Sequence, residues 1–537
     1  MGRKRKPKRI KGTIDAETDP FLFMREPEPF AWGVYIDGVF THFWGNKKNW
    51  MQTCTQPLVD FLFSLRNVTL YAHNGGKFDF HFLLPYANKE EITIINGRIA
   101  VMWIGDVKLV DSALLLPFPL DEYKKTKIDY TKFEADVREK NKKEIVSYLR
   151  DDCVDLYELL TGFHSILGDH LTIGTAAFAN MRKLGITIRQ GNESHDTRYR
   201  DFFFGGRTQV FEQGYHPSPK KPFLYIDINS AYPYAMTHNH PASYQYTLTT
   251  VLPRRKLTCE FIEFTGRSLG ALPVRDEDGL LYYPVDVVAR RYKTTGWELQ
   301  AGLDTGTIII DQIHQVHIPD AVANFKPFVD KFYAMKAKCK VDGDLIGTLA
   351  YKYCQNAGYG KQATNPREFK DYKLGHYDDS YADYNWDFDV GAISVHSRSS
   401  YVGRGFYDVA VGASITGFVR AYLWRTVLQT TRPMYTDTDS IICESYNKKN
   451  VQISPKLGDW SLDAKCHKLA IAGKKLYCYY DGKEWQSRSK GAVLAHTEII
   501  KLCRKETVIW RKPAPSYSVR YGARFTKRKI KMRTIKT

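Results

Sequence analysis

The chain lacks any run of eighteen consecutive apolar residues, and its basic start, MGRKRKPKRIKG, leads into no apolar segment. A membrane-spanning helix and a secretory leader are therefore not expected, and an intracellular, soluble protein with no membrane partner is. Its nine cysteines include no Cys-x-x-Cys pair, which argues against a zinc ribbon or a disulfide framework and for reduced thiols. Internal repeats and low-complexity linkers are absent as well. Acidic residues are the scarcer charge, 59 Asp and Glu against 78 Lys and Arg, for a formal net charge of +19. That balance calls for a polyanionic partner, and with 14% aromatic residues the partner expected is nucleic acid. The 537 residues suffice for three or four domain-sized units.

The informative stretch is Arg432 to Ser445, RPMYTDTDSIICES, where apolar and β-branched residues flank a polar tip. It reads as a hairpin with Asp437 and Asp439 near its turn. Two carboxylates about 4 Å apart repel by roughly 4 kcal/mol at an effective dielectric of 20, so such a pair calls for a cation or a proton. At Lys221 to Pro233, KPFLYIDINSAYP, an apolar strand ends at Asp227 and breaks into a turn before Tyr232. The helical stretch Leu345 to Gly360, ending on a glycine, carries Lys352, Asn356 and Tyr359 at i, i+4 and i+7. A cation, an amide and an aromatic ring on one helix face, opposite strand-end acids, suit a nucleoside triphosphate.

These three stretches, in this order, resemble the A, B and C motifs of family B DNA polymerases. The forms D-x-x-S-x-Y-P and K-x-x-x-N-x-x-Y-G resemble most the protein-primed branch of phages, adenoviruses and linear plasmids. The resemblance implies an α/β (α+β) multidomain fold, an RNase H-like 3′-5′ exonuclease domain followed by a right-hand palm, fingers and thumb.

The N-terminal third supplies a second set of acids. Asp15 and Glu17 stand two apart on an apparent strand and so on one face. In LYAHNGGKFDFHFLL the glycines let Asn74, Phe78 and Asp79 turn toward one spot, and in KKEIVSYLRDDCVDLYELL Tyr148 and Asp152 share a helix face. Four carboxylates and a tyrosine can make a two-metal site that activates water against a phosphodiester. Their order resembles the three Exo motifs of proofreading domains. By that resemblance Asp15, Glu17, Asp79 and Asp152 hold metals, Tyr148 orients water, and Thr18, Asn74 and Phe78 grip a frayed 3′ end. Ser112 in VDSALLLPFP resembles a further single-strand contact, although Ala113 stands where leucine is usual.

Phe203, Gly205, Gly206 and Arg207 in DFFFGGRTQVF resemble the template-binding Y-x-G-G element, with phenylalanine in place of tyrosine. Lys336 joins Lys352 as a triphosphate contact, Thr416 and Arg420 resemble a template or primer contact, and Lys475 with Tyr477 match the primer-binding K-x-Y. His238 with His240 and His314 with His317 lack acidic or cysteine partners nearby and are not expected to ligate metal. The expected division is a basic tail at 1–13, the exonuclease domain at 14–185, palm at 186–238 and 409–497, fingers at 324–361 and thumb at 498–537. Insertions at 239–323 and 362–408 resemble terminal-protein regions 1 and 2, credited in that branch with primer and terminal-protein contact and with strand displacement.

The mechanism implied is template-directed nucleotidyl transfer. Asp227 and Asp439, with the backbone oxygen of Ile228 and support from Asp437, would bind two Mg²⁺, with Mn²⁺ as a substitute, and Tyr232 would exclude a 2′-hydroxyl. Ala231 and Ala357 depart from the usual leucine and serine without removing a ligand. Partners implied are primer-template DNA, dNTPs and a terminal protein, in the host cytoplasm for a phage-encoded chain, with nucleus or organelle left open. A DNA-primed or primer-independent family B polymerase, or a catalytically dead DNA-binding factor, are the alternative readings.

Overall fold

The computed structural model describes residues 9–95, 97–366, 370–375, 383–390, 393–399, 405–518 and 522–532. The tail expected over 1–13 lies outside these up to residue 8, but from Ile10 the chain is already in a strand, so the tail is shorter than expected. Gly12 and Thr13 are buried and pair with strands on both sides, which a solvated tail cannot do.

The N-terminal domain is a seven-stranded mixed sheet. Its strand order is Val39–Trp44, Pro29–Ile36, Ile10–Thr18, Val68–Ala72, Val107–Asp111, Arg98–Ile104 and Thr93–Ile95. Val68–Ala72 lies between two parallel partners and is buried along its whole length, as its continuous run VTLYA requires. Helix Lys142–Leu167 buries Ile145, Leu149, Cys153, Leu156, Leu160, Phe163 and Leu167 in an i, i+4, i+7 stripe. It packs on strands Ile10–Thr18 and Pro29–Ile36. Asp152 is thereby brought to the face of strand Ile10–Thr18 that carries Asp15 and Glu17.

The second half is built on a five-stranded antiparallel sheet, ordered Trp460–Cys466, Phe223–Ile228, Ser440–Tyr446, Thr430–Thr438 and Arg207–Val210. Behind it runs helix Val409–Val427, apolar nearly all round and buried accordingly. Asp408 caps that helix, accepting from the amides of Ala410 and Val411 at 3.0 and 3.3 Å, and is itself held by Arg189 and His195. Helices Lys326–Val341 and Leu345–Gln362 pack together over the sheet's end. The second of these does not stop at Gly360 as expected but continues to Gln362, because the glycine sits in ordinary helical conformation.

Residues 239–323 contain a four-stranded sheet, Tyr246–Thr249, Ile308–Pro319, Phe261–Ser268 and Arg290–Thr295, and helix Gly296–Asp304. In the stretch 362–408, strands Lys370–Gly375, Ile393–Ser399 and Asn385–Val390 form a small sheet whose Leu374 and Val395 enter the N-terminal domain's core; the rest of that insertion lies partly outside the described residues. A division at 498 cuts helix His496–Cys503, which shares its core with strands Lys468–Gly473 and Leu476–Tyr480. The C-terminal unit therefore begins with that earlier hairpin. Leu160, Phe163 and Leu349 belong to one apolar core that runs from the N-terminal domain into the finger helices without a break.

Helices Val409–Val427 and Gly296–Asp304 approach closely at Gly417, where an added Cβ would lie 2.3 Å from Thr295 Oγ1. Gly417→Ala should cost about 1–3 kcal/mol by overpacking. Gly360→Ala meets nothing within 4 Å and should hold or raise stability. Thermal melting of the two variants decides: equal Tm changes would contradict the docking of the insertion at Gly417.

Candidate active sites

Asp227 is the penultimate residue of strand Phe223–Ile228 and lies opposite Ser440 on one neighbouring strand and Ser461 on the other. Asp439 occupies the one-residue turn between Thr438 and Ser440, and its amide donates to the Asp437 carbonyl at 2.8 Å. Thr438 takes φ 69° to make that reversal. The Ile228 amide donates to the Asp439 carbonyl at 3.0 Å, which binds the two strand ends to each other. Burial and then the charges of Asp439, Asp463 and Asp437 push Asp227 up to about 8. Burial and then Asp437 push Asp439 to about 6. Asp437 is differently placed, ion-paired to Lys475 Nζ and accepting from Thr208 Oγ1 at 3.4 Å.

Asp463 is the acid that sequence reading missed. It is the unpaired residue of a bulge between the Tyr225 and Ile226 pairings, and Ser461 Oγ donates to it at 2.6 Å. The bulge turns it toward Asp227, and no signal in LGDWSLD marks a bulge.

Beside the acids, Tyr232 and Tyr359 stack with centroids 4.2 Å apart and planes 11° from parallel. Lys336 Nζ donates to Ser230 Oγ at 3.3 Å, and burial followed by the charges of Lys352 and Lys340 lowers its pKa. Asn356 and Lys352 are exposed on the same helix. Lys352 lies 3.6 Å from Glu122 of the N-terminal domain, whose oxygens also accept from Tyr353 Oη at 2.8 and 2.9 Å. A cleft of about 860 Å³ runs from Gly206 and Thr208 past Lys474 and Lys475 to Lys490 and Arg528.

In the N-terminal domain one carboxylate oxygen each from Asp15, Glu17 and Asp152 lies within 4.8 Å of the others. Asp79, at the start of helix Asp79–Leu83, adds its charge to Asp15 and Glu17. Burial first and mutual repulsion second hold Asp15 and Glu17 well above the usual carboxylate range, and burial pushes Asp79 up to about 7. Glu17 Oε1 is buried with no hydrogen-bond partner. Tyr148 hydrogen-bonds Asp152, and its hydroxyl lies 3.3 Å from that of Tyr130. Lys125, overlooked within a run of lysines, places its charge within reach of Asp15, Glu17 and Asp152. Crowded hard oxygens with an orphaned buried acceptor fit a divalent cation such as Mg²⁺ or Mn²⁺.

Several expected DNA contacts are corrected by burial. Thr416 is fully buried and donates back to the carbonyls of Gly412 and Ala413, since it lies on a packed side of its helix. Arg420 is buried against Glu298. Arg207 is sandwiched between Tyr283 and Trp424, 3.9 and 4.2 Å from their centroids. Tyr477 is buried with its hydroxyl 3.1 Å from that of Tyr225. Ser112 is buried in a turn, donating to the Ala72 carbonyl at 3.2 Å, and Thr18 is buried at the end of its strand. Each of these residues is less than a tenth exposed. Asn74, in left-handed conformation, is exposed, and Phe78, Phe203, Gly205, Gly206 and Lys475 keep accessible surface. Phe78 meets Phe21 and Tyr517 edge-on, each at 5.7 Å.

A mixed-sheet domain with clustered acids, joined to an antiparallel sheet with strand-end acids under two finger helices, defines a nucleic-acid polymerase with an exonuclease-type domain. The profile of the family "DNA polymerase type B, organellar and viral" matches residues 109–396, just over half of the chain. The DNA-directed DNA polymerase of Enterobacteria phage PRD1 is 37% identical over 509 residues, covering 90% of this chain and 86% of that one. The chain belongs to the organellar and viral type B DNA polymerases and is a DNA-directed DNA polymerase of the protein-primed phage type. Phi29 DNA polymerase, in an orthorhombic crystal form, has the same fold, with a TM-score of 0.73 at 17% identity over 98% of this chain and 100% of that one. Its ternary complex with primer-template DNA and incoming nucleotide substrates gives 0.70 at 16% identity, with the same shares covered.

The raised acids make stability depend on pH and metal. Asp227 titrates near 3.8 when unfolded and about 8 when folded, so between those values only the unfolded chain is ionised and stability falls as pH rises. In EDTA, Asp227→Asn should therefore melt higher than wild type at about pH 9, with the advantage fading toward about pH 4 and shrinking when Mg²⁺ is added. A Tm difference independent of both pH and Mg²⁺ would contradict the crowding.

Proposed function

We propose that this polymerase extends a 3′ hydroxyl with dNTPs along a DNA template, starts from a hydroxyl of a terminal protein, and removes mispaired 3′ ends at its second acid cluster. The observation that carries the reading is the convergence of Asp227 and Asp439 with the Tyr232–Tyr359 stack and Lys336 at one end of a sheet. Phi29 polymerase of the same fold has been seen with primer-template DNA and incoming nucleotides, which supports both as partners here. A phage relative and nine free cysteines favour the host cytoplasm as its setting.

Asp227 and Asp439, with the backbone of Ile228 and with Asp463 and Asp437 in support, would hold Mg²⁺ or Mn²⁺. The bound ions supply a lowered pKa for the primer hydroxyl and neutralise charge on the departing pyrophosphate. Lys336, Lys352 and Asn356 take the triphosphate, for which Lys352 leaves Glu122. Tyr232, braced by Tyr359, closes the space beside the sugar against a 2′-hydroxyl. Lys475 holds Asp437 and faces the primer strand, and Phe203 with Gly205 and Gly206 borders the template. In the other centre Asp15, Glu17, Asp79 and Asp152 hold metal, Tyr148 and Tyr130 orient water, and Asn74 and Phe78 receive the frayed end. The first insertion is assigned to terminal-protein and primer contact, the second to strand displacement.

Two experiments test this. On a primed template in Mg²⁺, Asp439→Ala should lose extension by several orders of magnitude while binding duplex nearly normally, whereas Asp15→Ala with Asp152→Ala should lose 3′-end degradation and keep extension. Loss of both activities in the second variant would refute separate centres. Replacing residues 366–404 by a short Gly/Ser linker, with Tyr407 and Asp408 retained, should spare gap filling but halt at a downstream duplex, where each base-pair step costs a mean of about 1.4 kcal/mol in stacking. A folded linker variant that displaces strands as well as wild type would refute the role of the second insertion.

A further inference from the structure

The first insertion sends one carboxylate into the palm. Glu298, near the start of helix Gly296–Asp304, is 3% exposed and accepts from Arg420 Nε at 2.7 Å and Nη2 at 2.8 Å in a two-pronged ion pair. Thr295 Oγ1 donates to the same carboxylate at 2.9 Å and fixes its rotamer. Arg420, 1% exposed, turns Nη1 to the carbonyls of Phe204 and Gly205, the latter at 2.9 Å. The loop so held carries Gly206 against the nucleotide site. A Cβ on Gly206 would lie 3.0 Å from Tyr232 Oη and 2.7 Å from Thr438 Cγ2. The guanidinium also lies within electrostatic reach of Tyr232 and Tyr359. The links from Thr295 through Glu298 and Arg420 to the loop are hydrogen bonds and the last, at Gly206, is a close approach without room for a side chain; the planar fork of arginine serves the carboxylate and the two carbonyls together, which a lysine cannot do.

We propose that Glu298 and Arg420 are positioning residues for sugar selection: the insertion's carboxylate locks Arg420, Arg420 fixes the Phe204–Gly206 loop, and the loop sets the Tyr232 ring. Arg420 is thus a post under the nucleotide pocket instead of a DNA contact. The inference rests on the reading of Tyr232 as the ring that faces the sugar.

The test is single-nucleotide incorporation opposite cytosine by the full-length protein, with kcat and KM for dGTP and GTP. Variants are Glu298→Gln, Arg420→Lys, Tyr232→Val and, as a control, Asp311→Asn, whose partner Arg267 lies 3.6 Å away on the insertion's surface. Circular dichroism and melting establish folding, and Arg420→Lys carries the test should Glu298→Gln not fold. Expected is a loss of dGTP-over-GTP discrimination of about tenfold or more in both positioning variants. KM for dGTP should rise several-fold, while duplex binding by gel shift stays within about threefold. Asp311→Asn should behave as wild type. Unchanged discrimination in a folded positioning variant, with Tyr232→Val relaxed, overturns the inference and leaves the site reading standing. Lost duplex binding with intact discrimination overturns it in favour of a DNA contact. Unchanged discrimination in Tyr232→Val overturns the site reading and the inference with it.

Discussion

Carboxylates held together at the ends of strands are the constraint on which the rest of this molecule depends. Asp227 and Asp439 cannot relax apart, because the Ile228 amide is bonded to the Asp439 carbonyl and both flanking strands are locked in a five-stranded sheet. Roughly 4 kcal/mol of repulsion per close pair at an effective dielectric of 20 would open a flexible loop. A sheet end resists it, and so stores a demand for positive charge. Lys475 meets that demand by pairing with Asp437 and by a lesser effect on Asp439, and Lys125 meets it in part at the other centre. The unmet remainder is what fits divalent cations.

The two centres sit on one continuous body. The apolar core that joins Leu160 and Phe163 to the finger helix leaves no thin hinge between the halves, and Tyr353 stacks on Phe118 at 4.5 Å across the same seam. Tyr517 of the C-terminal unit reaches Phe78, so a third element packs beside Asp79 of the N-terminal domain. Both insertions are likewise packed into the body, one through Glu298 and Gly417, the other through Leu374 and Val395. An insertion anchored by a buried ion pair is part of the site's foundation.

What the sequence determined by itself is local. Asp227 and Asp439 could be read from the strand end and the turn that carry them, Asp15 and Glu17 from the two-residue period of a strand, and Asp79 from the glycines that precede it. The tyrosine, amide and lysine on the finger helix could be placed because a 3.6-residue period fixes which side chains share a face. Only the tertiary structure decided which faces stayed wet. Thr416 and Arg420 share a helix face, but that face is packed, so both turned inward; on their strands Arg207 is covered by Tyr283 and Trp424, and Tyr477 lies against Tyr225. Asp463 depended on a bulge, and Glu298 on a docking 122 residues away along the chain from Arg420. Period and propensity act over a few neighbouring residues, whereas burial and ion pairing are settled by whichever distant segment packs there, and a single chain's sequence does not state that partner.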